Sequence, residues 1–247
     1  MFFFKRKNDN PTVFHITHYK AGSQWIRNIL NQTCKNMIVN PKPNNDHLYV
    51  DKIQKGKIYS TVYLKKDDFD ALDIDREYKK FIIFRDPRDT LISHYFSLLK
   101  SHVITSDNMR KTRDRLENMS KTDGLNWFME TVFTVNTDIV KSWIDNGESF
   151  LKYEDILKDD VGILTRLFCD ELKLDMDCKR LKKIIIKNRF EAITKGRKRG
   201  EEDISSHLRK GIKGDWENHF TAEIKDRFKE LYGSLLVDMD YEKDLEW

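Results

Sequence analysis

The chain has 247 residues, with 45 Lys and Arg against 41 Asp and Glu, a formal charge of +4, and 39% hydrophobic and 12% aromatic residues. Mixed charge signs and this aromatic content exclude a disordered chain, and the length suits one domain over residues 1–247. No apolar run reaches the roughly 20 residues of a membrane span, and the Met1 to Phe4 patch is too short for a signal peptide core, so a cytoplasmic location is expected.

Pro11 to Thr17 alternates β-branched and aromatic residues and predicts a strand. It passes through a polar, Gly-bearing turn into a helix with Trp25, Ile26, Ile29 and Leu30 at 3.6-residue spacing. Ile58 to Leu64 predicts a second strand, and Phe81 to Phe84 is the continuous apolar run of a buried parallel strand. Arg85-Asp86-Pro87 follows directly, with Asp86 as N-cap and Pro87 as first residue of a helix through Leu99. Leu125 to Ile144 is one helical stretch by spacing, Ser149 to Tyr153 a short strand, and Val161 to Leu172 and Leu181 to Ile186 are helices. Ile193 to Asp215 is polar, basic and Gly-bearing, which predicts a long loop, and Thr221 to Tyr232 predicts a capped closing helix. Strand and helix alternate repeatedly, the pattern of an α/β fold with a central, mostly parallel sheet and helices on both faces.

Cys34, Cys169 and Cys178 are scattered, with no C-x-x-C spacing, and are expected as small core hydrophobes, in neither a disulfide framework nor a zinc site. The seven His residues show no metal-binding spacing, so no metal is expected.

Three segments carry chemistry. His18-Tyr19-Lys20-Ala21-Gly22-Ser23-Gln24-Trp25 sits where a strand enters a helix, and its backbone N–H groups with the Lys20 charge suit an anion. Lys20 precedes Gly22, so this is not a Walker A loop; an ordinary turn with a solvated Lys stays open. Arg85 at a strand end and Ser93 two turns into the next helix can converge on a phosphate, whereas Arg88 and Asp89 read as surface charge. Arg209-Lys210-Gly211 with Gly214-Asp215-Trp216 forms a basic loop in which Gly allows close backbone approach to an anion.

In this order, the three segments resemble the nucleotide elements of sulfotransferases that use 3′-phosphoadenosine 5′-phosphosulfate (PAPS) and release 3′-phosphoadenosine 5′-phosphate (PAP), and Tyr153-Glu154-Asp155 is similar to that family's Tyr-Glu-Asp. The resemblance implies a P-loop NTPase-like, three-layer α/β/α fold and transfer of a sulfuryl group to a hydroxyl or amine without a metal. It implies that Lys20, Ala21, Gly22, Ser23 and Gln24 hold the 5′-phosphosulfate and that Trp25 and Phe190 stack on adenine. Tyr153 would reach the base edge, and Arg85, Ser93, Arg209, Lys210 and Gly211 would grip the 3′-phosphate. Lys20 would also stabilise charge on the leaving phosphate.

Cytosolic members of the family carry their base in a Lys-Thr-His string on the strand preceding the one that ends at Arg85, where this chain reads Ser60-Thr61-Val62-Tyr63. Candidate bases are therefore His18 and His102, with His94 and His47 weaker. Tyr95, Phe96, His102 and a mobile polar lid, Ile104 to Ser120, are expected at the acceptor site. The resemblance implies a small-molecule, lipid or carbohydrate acceptor and no specific nucleic acid, and a homodimer is compatible. A catalytically degenerate PAP- or PAPS-binding domain, a nucleotide kinase and nucleic-acid binding through Lys195 to Arg199 stay open. Lys187 to Lys213 holds nine Lys and Arg against four acids, a net +5 that leaves the rest of the chain at −1. The basic character is thus concentrated in one loop.

Overall fold

The computed structural model describes residues 10–39, 52–74 and 77–247; the Met1 to Phe4 patch and His47 lie outside the described residues. In chain order, β1 (Thr12–Thr17), α1 (Ser23–Thr33), β2 (Ile38–Val39), β3 (Ile58–Val62), α2 (Lys66–Asp70), β4 (Tyr78–Phe84) and α3 (Pro87–Phe96) lead into a π-helical turn, Ser97–Ser101. Next come α4 (Asp107–Glu117), α5 (Lys121–Thr131), α6 (Thr134–Ile144), β5 (Leu151–Lys152), α7 (Tyr153–Lys158) and α8 (Asp160–Thr165), which runs into a second π-helical stretch, Arg166–Glu171. The chain ends with α9 (Cys178–Lys187), α10 (Phe190–Ile193), a 3-10 turn Asp215–Asn218 and α11 (Ala222–Asp238).

Among the described residues the sheet has five strands in the order β2-β3-β1-β4-β5, and every pair is parallel. Side chains alternate between its faces, as strand geometry requires. Val13, Ile58, Phe81 and Ile83 pack with Ile26, Leu164, Phe168 and Ile185 on one side, while Phe14, Ile16, Tyr59, Ile82 and Phe84 pack with Phe69, Val140 and Trp143 on the other. Both faces are covered by helices, giving the expected three layers. A third cluster, with Leu91, Phe128 and Phe228, joins α3, α5 and α11. Among the described residues, no helix is long and apolar enough to cross a membrane.

Several local expectations are corrected. The stretch Leu125 to Ile144 is two helices, because Phe133 turns into the core at 0% exposure and its N–H bonds the Phe128 carbonyl at 2.9 Å, breaking the 3.6-residue ladder. Tyr153 opens α7 rather than closing a strand. Cys169 and Cys178 form a disulfide with Cα atoms 6.4 Å apart, since the Arg166–Glu171 stretch ends close to the start of α9; Cys34 is the buried free thiol. Most of Ile104 to Ser120, expected as a lid, is helix α4, tied down where Arg113 donates to the carbonyls of Leu98 and His102.

The start of α3 is the most strongly determined junction. Asp86 accepts the Arg88 backbone N–H at 2.8 Å as N-cap, Pro87 supplies a first residue with no N–H to satisfy, and the Asp86 carboxylate also pairs with the buried Arg88 guanidinium. Asp86→Ala removes the cap and one partner of a buried cation, and should lower unfolding free energy by about 3 to 5 kcal/mol in urea denaturation.

Candidate active site

β1 and β4 are neighbours in the sheet and end together, with Thr17 opposite Ile83, so the segments that follow them lie side by side. β1 is also where the strand order reverses, the switch point at which open α/β sheets form their crevice. The Arg85 N–H donates to His18 Nε2 at 3.1 Å, and Arg85 Nη1 donates to the Lys20 carbonyl at 3.3 Å. Lys20 and Gly22 have φ of +69° and +79°, left-handed geometry of the kind that gathers backbone N–H groups into an anion-binding concavity ahead of α1. Gly22 is required twice over, since a Cβ there would stand 2.5 Å from the Tyr153 ring.

The Lys20 ammonium donates to Ser97 Oγ at 3.1 Å. Burial, then the charges of Arg85 and Arg209, lower its pKa to about 8. Three cations therefore share one region. Arg85 Nη2 also donates to the Ile212 carbonyl at 3.2 Å and lies 3.6 Å from Asp89 Oδ2. Asp89 in turn accepts the backbone N–H groups of Gly214 at 2.7 Å and Trp216 at 3.0 Å, so α3 holds the end of the basic loop. Arg88 and Asp89 are thus 4% and 2% exposed, not surface charge, because the Gly214 to Trp216 turn and Trp247 cover the first turn of α3, with Arg88 over the Trp216 ring at 4.3 Å.

Arg209 pairs with Glu202 and Asp215, and Lys210 with Asp215. Burial pulls the Asp215 carboxyl up, but hydrogen bonds from His219, Lys210 and Arg209 outweigh it and hold it well below the carboxylate range. Glu202, Asp215 and His219 offer ligand-type atoms within 4.8 Å of one another, yet the Arg209 and Lys210 charges already on Asp215 oppose a metal ion. The Nε groups of Arg85 and Arg209 and the Trp25 indole nitrogen are buried with no partner among the described residues. Each is a donor left unused by the fold, which is costly without a ligand.

Aromatic rings flank these cations. Trp25, in the first turn of α1, meets Tyr153 edge-on at 6.3 Å, and Arg85 lies over the Tyr153 ring at 5.2 Å. Phe190 opens α10 and presses on Gly211, whose φ is +68° and where a Cβ would stand 2.5 Å from the ring. Ala21 and Ser23 are buried in the loop and Gln24 is exposed. The Ser23 hydroxyl bonds Tyr63, whose ring stacks on Tyr19 at 4.3 Å. Ser93, half-buried on α3, makes no side-chain hydrogen bond among the described residues.

The histidines separate by their partners. His18 Nδ1 donates to the Tyr19 carbonyl at 2.9 Å while Nε2 accepts from Arg85, and burial holds its pKa at about 4. With both nitrogens committed to backbone, His18 cannot take a substrate proton; this corrects the expectation for that residue. His94 Nδ1 accepts from the Asn136 amide at 2.9 Å, and burial followed by the Lys20 charge lowers it to about 3. His102 is held by its backbone, its N–H on the Ser97 carbonyl at 2.7 Å, while its half-buried ring makes no hydrogen bond among the described residues. Burial, Lys20 and Arg113 lower its pKa. Tyr95, expected at the acceptor site, is instead buried in the third core cluster, and Phe96 carries Arg209 over its ring at 4.9 Å.

His207, Ser97 and Glu154 were not anticipated. His207 stands on the basic loop with much of its surface open to solvent; the Lys20 charge first, then partial desolvation of the ring, lowers its pKa to about 4, and the His102 charge adds to this. Nothing in its sequence context marks it. Glu154 accepts the Asp86 N–H at 3.1 Å and the Tyr241 hydroxyl at 2.5 Å, tying α7 to the start of α3; its place in Tyr-Glu-Asp was a signal for it.

Comparison with known proteins agrees with this geometry. The sulfotransferase domain family model matches residues 10–240. Human Sulfotransferase 2A1 is 22% identical over 234 residues, covering 89% of this chain and 72% of its own, and human Sulfotransferase 1C2 is 23% identical over 272 residues, covering 93% and 83%. The crystal structure of mouse sulfotransferase SULT7A1 complexed with PAP is similar in fold, with a TM-score of 0.59 and 19% identity over 96% of this chain and 88% of that one. A β1 loop bearing Lys20, a capped α3 behind Arg85 and a basic loop closing on both are one contiguous arrangement, matched over nearly the whole chain: the protein belongs to the sulfotransferase domain family.

Proposed function

We propose that the chain, acting as one domain, transfers the sulfuryl group of PAPS to a hydroxyl or amine of a small-molecule, lipid or carbohydrate acceptor. The observation that carries this reading is the convergence of Lys20, Arg85 and Arg209 at the end of β1, with two buried guanidinium N–H groups still unpartnered. These residues fit a donor with anionic groups at both its 5′ and 3′ positions. The similarity to a PAP-bound sulfotransferase supports the same choice.

The donor supplies an electrophilic sulfuryl group on a phosphate leaving group. Lys20 and the backbone N–H groups from Ala21 to Gln24 hold the 5′ end, and the Lys20 charge favours the anion released there. Trp25 and Phe190 bind the base, Tyr153 meets its edge, and Arg85, Ser93, Arg209, Lys210 and Gly211 hold the 3′-phosphate. His102 takes the acceptor proton: its ring makes no hydrogen bond among the described residues, and the lowering of its pKa by burial, Lys20 and Arg113 favours the neutral ring with a lone pair available. No metal is needed for charge neutralisation with three cations present. A second reading, nucleotide binding without turnover, is favoured by Val62, which stands in the Ser60 to Tyr63 string where the family has its base. Incubation with labelled PAPS and a panel of hydroxyl and amine acceptors separates the two: transfer supports the first reading, whereas tight PAP binding with no transfer to any acceptor supports the second.

Lys20 is charged below about pH 8, so PAP affinity should fall as pH rises through that value, and calorimetry on Lys20→Ala should lose this step along with affinity. Arg209→Ala should weaken PAP binding by about 1.5 to 3 kcal/mol, the range of a charge-assisted hydrogen bond, read by the same method. His102→Asn should lower kcat by about 10²- to 10⁴-fold and leave the PAP dissociation constant within about twofold.

A further inference from the structure

Residues 194–214 form no helix or strand, so their backbone groups need partners from elsewhere. One side chain supplies several. Arg197 Nη1 donates to the carbonyls of Arg209, at 2.6 Å, and Glu201, at 3.3 Å; Nη2 donates to the Leu208 carbonyl and to Ser206 Oγ. The same guanidinium lies over the Phe190 ring, 4.9 Å from its centroid. Phe190 is pressed by Gly211, and Thr194 Oγ1 donates to the carbonyls of both Phe190 and Arg197. Backbone bonds from Gly200 to the Lys210 carbonyl and from Asp203 to the Arg209 carbonyl complete the wrap.

We propose that Arg197 is a positioning residue that sets Arg209 and Lys210 in register with the Phe190 ring, and so determines selectivity for a nucleotide bearing a 3′-phosphate. The inference rests on the PAPS reading of the site. Its physical basis is that a planar, five-donor fork can bond three carbonyls and lie flat on a ring at once, which an ammonium cannot. Arg197 fixes the carbonyl of the very residue whose side chain carries the cationic fork, and its guanidinium lies over Phe190, the ring that Gly211 of the same loop abuts. Without it, Arg209 and Lys210 keep their own charges and lose the angle at which those charges meet the 3′-phosphate.

The test compares binding of PAP and adenosine 5′-monophosphate, which lacks the 3′-phosphate, by calorimetry on the full chain. In Arg197→Gln the ratio of the two affinities should fall at least tenfold, through PAP, with thermal unfolding shifted by only a few degrees. Arg197→Lys keeps the charge over Phe190 but not the fork, and should show the same loss. In an Arg209→Ala background, removing Arg197 should change the ratio by clearly less than it does in the wild-type background. A wild-type ratio in both Arg197 variants, with or without weaker binding of both nucleotides, overturns the proposal. A wild-type protein that does not prefer PAP overturns the PAPS reading itself, and the proposal with it.

Discussion

Like charges held close together govern this structure. Lys20, Arg85 and Arg209 lie near enough to depress the Lys20 pKa, in a region partly closed to water. Such crowding is unfavourable unless carboxylates offset it, and the fold supplies them from different places: Asp89 from α3, Asp215 from the turn after the basic loop, and Glu202 from within the loop. Two of these carboxylates also hold the chain around the site, Asp89 through backbone N–H groups and Asp215 through side chains. Asp89 fixes Gly214 and Trp216, and Asp215 gathers Arg209, Lys210, Asn218 and His219. Neutralising the site and closing the chain around it are the same set of contacts.

Much of this was legible in the sequence where local rules and tertiary structure agree. The strand-turn-helix units after β1 and β4 rest on alternation, a cap and a proline, and Asp86 and Pro87 act at the positions their chemistry requires. The basic loop was legible as a loop because nothing in it could form a core. Arg88 and Asp89 were not, because a charged pair at a helix start looks the same whether water or Trp216 covers it. His18 was misassigned for a related reason: its place beside Lys20 is plain in the chain, but the Arg85 N–H that occupies its second nitrogen arrives from another strand. The Cys169–Cys178 bridge depends on a π-helical stretch that no residue pattern announces. The +5 stretch shows the limit of charge counting, since Asp160 and Asp215, which lie outside it, pair with its Arg189 and with its Arg209 and Lys210.

Two glycines express a second constraint. Gly22 and Gly211 lie on different segments, yet each has positive φ and each meets an aromatic ring, Tyr153 and Phe190, at a distance that no side chain could share. The backbone that approaches an anion is thereby pressed against the surface that approaches a base. Phosphate and base recognition are coupled at the level of the main chain, before any charged side chain is considered.

The central position of β1 bears on how the molecule is made. Its partners run from Ile58 to Phe84, and its loop is completed only by Arg209 to Trp216. During synthesis β1 therefore precedes both of the strands that pair with it. β3 is the first of them to follow and β4 the second, and the Lys20, Arg85 and Arg209 cations meet only once the Arg209 to Trp216 segment has been made. Long-range parallel pairing of this kind is slow to form, which gives this sequence a window during synthesis in which Val13, Phe14 and Ile16 are exposed to chaperones or to other nascent chains.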